Sequence, residues 1–311
     1  MKRLKIVFMG TPSFSVPVLE SLIDHHEVIL VVTQPDKEIG RDREMQYPPV
    51  KEVALKHGIE VFQPVALKDN WKSIINLKPN YIITCAYGQM VPSELLDKYP
   101  HHCINVHASL LPKYRGGAPI HRAIMRGEYE TGITIMEMVE RMDAGDIIAQ
   151  RSIEITDYDN VGTMHDKLSL VAKDLLIDVL PTIDSMPRKR QNEVEVTNAF
   201  TINRKDEHIS FDNPKRGIYN HIRGLNPWPV GYALLSNKEI KIYESYMKEG
   251  QHYDKVPGEI IEIYEDGIGV NTRDGEIVLT VIQPEGKKKM TVKDYLNGIE
   301  NKQSLIGKVF M

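Results

Sequence analysis

Residues 104–117 read Ile-Asn-Val-His-Ala-Ser-Leu-Leu-Pro-Lys-Tyr-Arg-Gly-Gly, and a change of character inside this stretch decides the fold. Its first residues alternate, so Asn105 and His107 leave a short extended segment on the same side. Beyond them Leu-Leu-Pro gives way to Lys-Tyr and a Gly-Gly pair, which ends the strand in a turn-rich loop. Polar side chains at the end of a strand, followed by such a loop, occupy the place where open α/β sheets bind ligands. The alternative is that both residues line the solvated face of an edge strand. A second irregular segment, Arg141-Met142-Asp143-Ala144-Gly145-Asp146, can bring a carboxylate back to the same place.

Working outward, the flanking sequence repeats a strand-then-helix rhythm. Short apolar runs at Leu4 to Met9, His26 to Thr33, Ile59 to Phe62, Tyr81 to Cys85 and Cys103 to His107 predict strands, and Thr131 to Met138 alternates. Between them, helices are expected from Ser15 to Ile23, Pro49 to His57, Trp71 to Leu77, Ser93 to Lys98 and Ala118 to Arg126. This predicts an α/β fold with an open, mostly parallel sheet. Gly10 follows the first strand, but no GxGxxG follows it, which argues against a dinucleotide loop. Residues 34–49 form a polar, charged connection without a periodic pattern, unusually long for this fold and therefore a functional candidate.

Asp159 to Leu180 carries Met164, Leu168, Val171, Leu175 and Val179 along one helical face, and Pro181 closes it. The character then changes. Short β-rich runs appear at Gly231 to Leu235, Ile240 to Tyr246, Gly258 to Glu262, Gly267 to Asn271 and Glu276 to Ile282, after one helix at Pro214 to Ile222. Five short strands with glycine-rich turns predict a small OB-type β-barrel. The expected domains are residues 1–186, a linker over 187–205, and residues 206–311.

A chain of 311 residues, 41% apolar and 26% charged, has the size and composition of a two-domain globular protein. Its net charge of -4 excludes a uniformly basic nucleic-acid binder, so any RNA contact must use local patches. Acidic residues slightly outnumber basic ones even from Asp206 onward. The two cysteines, Cys85 and Cys103, form neither a metal-binding spacing nor a disulfide framework, which suits a reducing cytosol. No stretch reaches membrane-spanning length. No His/Cys/Asp cluster has zinc spacing, and no metal is expected.

Asn105-x-His107, with Ser109-Leu110-Leu111-Pro112-Lys113-Tyr114-Arg115-Gly116 and with Asp143 in Met142-Asp143-Ala144-Gly145-Asp146, resembles the folate-dependent formyltransferase family. The likeness runs from Ile6 to Phe310. Its serine-leucine-leucine-proline run marks a Rossmann-like catalytic domain shared with purine and sugar formyltransferases. The length and Asn226-Pro227-Trp228-Pro229 are similar to members with a second domain that act on methionyl initiator tRNA.

The resemblance implies transfer of a formyl group from 10-formyltetrahydrofolate to the α-amine of methionine carried by initiator tRNA, in the cytoplasm, by a monomer. It implies that Asn105, His107 and Asp143 surround the reacting carbon. Folate-binding positions are Tyr87, Gly88, Gln89, Met90 and Val91, with Ser109, Leu110, Leu111 and Pro112. The alternative is that Met90 and Val91 only close the core. The tRNA-binding positions are Arg41 and Arg43 in the long connection, Arg188, Lys189 and Arg190 in the linker, and Lys287, Lys288 and Lys289 in the barrel. Trp228 is expected to anchor the barrel against its preceding helix. The same central motif is compatible with formylation of a small amine such as an amino-sugar nucleotide, or with a non-catalytic RNA-binding protein. Asp146 and Arg115 are given no catalytic role.

Overall fold

A computed structural model describes residues 3–39, 44–250 and 254–311. The chain divides into two compact units, one of residues 1–119, 130–154 and 165–200, the other of residues 120–129, 155–164 and 201–311.

The first unit is built on a seven-stranded sheet. Its strands are β1 (Lys5–Gly10), β2 (Glu27–Val32), β5 (Val61–Phe62), β6 (Tyr81–Cys85), β7 (Cys103–His107), β8 (Glu130–Glu137) and β9 (Ile147–Glu154). They lie in the order β5-β2-β1-β6-β7-β8-β9. The first five are mutually parallel, whereas β8 runs antiparallel to both of its neighbours, β7 and β9. The order places a topological switch between β1 and β6, because the chain leaves β1 toward β2 and β5 and later resumes on its other side. In such sheets the crevice opens at the carboxyl ends of the strands. Residues 11, 86 and 108 begin the loops at those ends of β1, β6 and β7.

Strands β1 and β6 are buried along nearly their whole length, as continuous apolar runs in a parallel sheet require. One face of the sheet carries Val7, Met9, Leu30, Val32, Ile82 and Cys103, packed with Leu67, Ile74, Tyr87, Val91 and Leu95. The helices are α1 (Val16–His25), α2 (Pro49–Lys56), the short α3 (Leu67–Asn70), α4 (Lys72–Asn76), α5 (Ser93–Leu96) and most of α7 (Val161–Val179), while α6 (Pro119–Met125) falls almost wholly in the second unit. On α7 the buried positions Met164, Leu168, Ala172, Leu175 and Val179 recur at threes and fours. Asn160 caps its start, its side-chain oxygen accepting from the Thr163 amide.

Residues 34–49, expected to lack regular structure, hold a hairpin of β3 (Lys37–Ile39) and β4 (Glu44–Gln46). It escaped the periodicity because its strands are three residues long, and β4 is exposed throughout, so no apolar alternation marks it. The base of the hairpin is tied down. Asp36 pairs with Lys51 at 2.6 Å and accepts from Gln63 at 2.7 Å, and Lys51 lies 4.0 Å above the Tyr47 ring. Arg41 and Arg43 lie outside the described residues.

The second unit contains β10 (Gly231–Leu235), β11 (Lys238–Lys248), β12 (Ile260–Ile263), β13 (Ile268–Asn271), β14 (Glu276–Pro284) and β15 (Met290–Thr291), with α8 (Arg204–Glu207), α9 (Lys215–Arg223) and α10 (Val292–Asn297). The antiparallel order is β10-β11-β14-β13-β12, with β15 added on β14. Residues 307–311 bridge the open edges: Leu235 pairs with Phe310, and Glu259 with Val309. That closure gives the expected OB-type barrel, filled by Ile242, Ile260, Val270, Ile277 and Leu279 and covered by Ile218 and Ile222 of α9. Trp228, expected to anchor the barrel against its preceding helix, is 43% exposed and is not among the side chains of this core. Among the described residues no helix is long and apolar enough to cross a membrane.

Candidate active site

β7 delivers Asn105 and His107 two residues apart on one side of its carboxyl end. The alternation foreseen from sequence holds, but this is a central strand rather than a solvated edge, paired with β6 and β8. The segment between β8 and β9 brings Asp143 to both. Its Oδ1 lies 3.6 Å from His107 Nδ1 and accepts from Asn105 Nδ2 at 3.3 Å. Its Oδ2 accepts the backbone N–H of Gly116 at 2.8 Å. The three candidate residues therefore meet around one carboxylate.

His107 is buried, and its Nε2 donates to the Tyr114 carbonyl at 2.9 Å. Both ring nitrogens face groups that only accept, the Tyr114 carbonyl within hydrogen-bond reach and the Asp143 carboxylate across 3.6 Å. Asn105 is held from the other side: Thr84 Oγ1 on β6 donates to its Oδ1 at 2.8 Å. That contact orients the amide with its nitrogen toward Asp143, leaving a second N–H for a reacting oxygen. Thr84 was not marked by the sequence, where it reads as one more β-branched residue in a buried strand.

Backbone geometry supports the carboxylate. Asp143 has φ +51° and Tyr114 φ +64°, both in the left-handed region. Gly116, at φ +122°, approaches Ala199 so closely that a Cβ would lie 2.7 Å from its carbonyl oxygen. Only glycine turns there and still aims its N–H at Asp143. Asp146 contributes its carbonyl, which accepts the Glu137 N–H at 3.0 Å.

The nine residues assigned to donor binding divide into two groups. Tyr87 and Val91 are buried in the sheet's apolar cluster, and burial pushes the Tyr87 hydroxyl up to about 12. The Tyr87 carbonyl accepts from Thr11 Oγ1 and Gln34 Nε2. Gln89 is committed to the loop, donating to Gln34 and Pro64 and accepting from the Leu67 amide at 2.8 Å. Ser109 and Leu111 are buried too. Ser109 Oγ donates to the Lys113 carbonyl at 2.7 Å, and Leu111 packs on Met136 and Ile147. Gly88, Met90, Leu110 and Pro112 are more accessible, Met90 at 51%.

Of the basic clusters, Arg188 is an internal anchor. It pairs with Glu137 at 2.6 Å and donates to the Ile183 and Met186 carbonyls. Its assignment to RNA is withdrawn, because that guanidinium is spent inside the unit. Lys189 and Arg190 are exposed, as are Lys287, Lys288 and Lys289. Lys289 Nζ lies 4.4 Å above the Tyr243 ring.

The expected linker also differs. Its first part, through residue 200, belongs to the first unit. Arg115 donates its N–H to the Thr197 carbonyl and Ala199 donates to the Arg115 carbonyl, while Gln191 is 4% exposed. Polar composition concealed this order, because the segment is fixed by hydrogen bonds rather than by an apolar face.

The formyl transferase family model matches residues 4–180, and that of the formyl transferase C-terminal domain matches residues 201–300. Methionyl-tRNA formyltransferase of Staphylococcus epidermidis is 50% identical over 99% of this chain and 99% of its own. That of Staphylococcus aureus is 49% identical, covering 98% of each. The structure of an N-formyltransferase from Helicobacter canadensis, in complex with folinic acid and dTDP-3-aminofucose, is similar in fold with a TM-score of 0.69. It is 20% identical over 90% of this chain and 99% of that one.

Proposed function

This chain belongs to the formyl transferase family, and on that premise we propose that it transfers the formyl group of 10-formyltetrahydrofolate to the α-amine of methionyl initiator tRNA. The observation that carries the chemistry is the convergence of Asn105, His107 and Asp143 on one carboxylate at the end of a central strand. The acceptor is supported by relatives about half identical along the whole chain.

The neutral amine is itself the nucleophile, so no covalent enzyme intermediate is required. Its nitrogen bonds to the formyl carbon and the carbonyl π pair moves onto oxygen. Collapse of the tetrahedral intermediate then breaks the bond to N10. Asn105 donates to the developing oxyanion, and the His107 ring, held between Tyr114 and Asp143, lies beside it. Asp143 holds the imidazole and relays the proton that the amine loses and N10 gains. The loops after β6 and β7 flank the donor, with Gly88, Met90, Leu110 and Pro112 as its accessible wall. Arg41 and Arg43, with Lys189, Arg190, Lys287, Lys288 and Lys289, are assigned to the RNA, where they act on phosphates rather than on the reaction.

The test offers radiolabelled formyl donor with methionyl initiator tRNA, methionyl elongator tRNA, free methionine or an amino-sugar nucleotide. Efficient transfer is expected only to the first. Transfer to the sugar nucleotide alone would replace the acceptor, and RNA binding with no transfer would replace the function class. Asn105→Ala, His107→Ala and Asp143→Ala should each keep the fold and lower turnover at least about 100-fold. Near-normal turnover in His107→Ala would defeat the assigned centre.

A further inference from the structure

We propose that Gln191 is a positioning residue for the reaction, setting the Asp143 carboxylate through the Asp143 backbone. This rests on the functional reading above and deepens it. Gln191 is 4% exposed, and its side chain is used at both ends. Nε2 donates to the carbonyls of Asp143 and Gly145, each at 2.8 Å. Oε1 accepts from Arg115 Nε at 3.0 Å. One amide therefore clamps the two carbonyls that flank Ala144, in the turn whose first residue is at φ +51°.

Three further contacts fix that clamp. Arg115 is itself 5% exposed, and its NH2 pairs with Glu193 at 2.9 Å. Glu193 also pairs with Arg141 at 2.9 Å, two residues before Asp143. The residue after Arg115, Gly116, donates its N–H to the Asp143 carboxylate. Gln191 thus joins the loop that holds the carboxylate to the loop that hydrogen-bonds it. At Gly145 a Cβ would lie 1.9 Å from the Glu137 carbonyl oxygen, so the turn presses against β8 and has little room to settle elsewhere.

The discriminating variant is Gln191→Glu. It keeps the shape and gives Arg115 a carboxylate to bond, but it has no N–H for the two carbonyls. A purely structural bridge to Arg115 would survive it, whereas a clamp on Asp143 would not. Misplacement of a catalytic group by about 1 Å costs on the order of 100-fold. Q191E should therefore lower kcat about 10-fold to 100-fold, with KM for methionyl initiator tRNA and for the formyl donor changed less than about twofold. In an Asp143→Ala background the same substitution should have no further effect on kcat, since the group it positions is gone.

Wild-type kcat in Q191E, or an undiminished loss on top of D143A, would overturn the inference. Gln191→Met, which removes both polar ends, is measured in the same cycle should Q191E not fold. Failure of both variants to fold would assign Gln191 to stability alone and overturn the positioning role. A wild-type protein that transfers no formyl group would remove the functional reading and this inference together. An active wild type with additive losses would remove the inference alone.

Discussion

At the scale of single residues the proposed centre works by orientation. Asn105 is useful only if its nitrogen faces the reaction, and the Thr84 hydroxyl at 2.8 Å settles which way the amide lies. Thr84→Val keeps the branched shape in a buried strand and removes that donor. We expect kcat to fall about 10-fold, the equivalent of about 1.4 kcal/mol and close to the net value of one hydrogen bond. Steady-state turnover at saturating donor and acceptor reads it, and unchanged turnover would show that Asp143 alone orients the amide. Asn105, His107 and Asp143 were legible in the sequence because spacing two apart on a strand, and a polar turn, are local signals. Thr84 and Gln191 were not. Their importance comes from partners distant in sequence, such as Thr84 with Asn105 and Gln191 with Asp143, which no local pattern encodes.

At the scale of elements, most strands of the two sheets and the long helix α7 were readable because burial imposes a period on them, whereas β9 and the two-residue β15 were not predicted. The β3–β4 hairpin and the segment through Ala199 were not, because hydrogen bonds and ion pairs fix them without an apolar stripe. The same kind of bonding joins α6 to α8 in the second unit. Arg122 donates both terminal nitrogens to Asp206, at 3.0 and 2.7 Å, which holds that carboxyl below its ordinary value. His221 lies against the Asp206 carbonyl, and burial lowers its pKa. The signs agree. Below about 6.5 the unfolded chain takes up a proton on His221 that the folded chain refuses, so stability falls as pH falls. The contribution of Asp206 is full above about 3.9 and is lost as pH drops through its lower native value. Denaturant unfolding of a Trp71→Phe variant, followed by Trp228 in the second unit, should show stability declining from pH 7 to pH 5. His221→Gln should flatten that decline, and an unchanged slope would remove His221 as its source.

At the scale of the whole molecule, two cores serve one reaction. The first unit holds the catalytic candidates, while the second has its own closed barrel. The chain's net charge of -4 gives no general field that would attract RNA, so under the proposed function that contact falls to local basic groups. Barrel closure was the least legible part of the fold, since residues 307–311 carry too short a pattern to read as a strand. Yet Phe310 is 5% exposed, its ring 5.4 Å from that of Phe211, and its backbone pairs with Leu235 and Gly258. Phe310→Ala should therefore destabilise the second unit by about 3–5 kcal/mol, the usual cost of emptying a buried aromatic site and a large share of a domain's stability. Because Trp71 and Trp228 report on different units, single-tryptophan variants can follow each separately in denaturant. The Trp228 transition should move to lower denaturant while the Trp71 transition holds. Donor binding should persist, and use of methionyl initiator tRNA should fall as the barrel unfolds. Equal shifts of both transitions, with donor binding lost, would show that the catalytic unit depends on the barrel for its fold and not only for its acceptor.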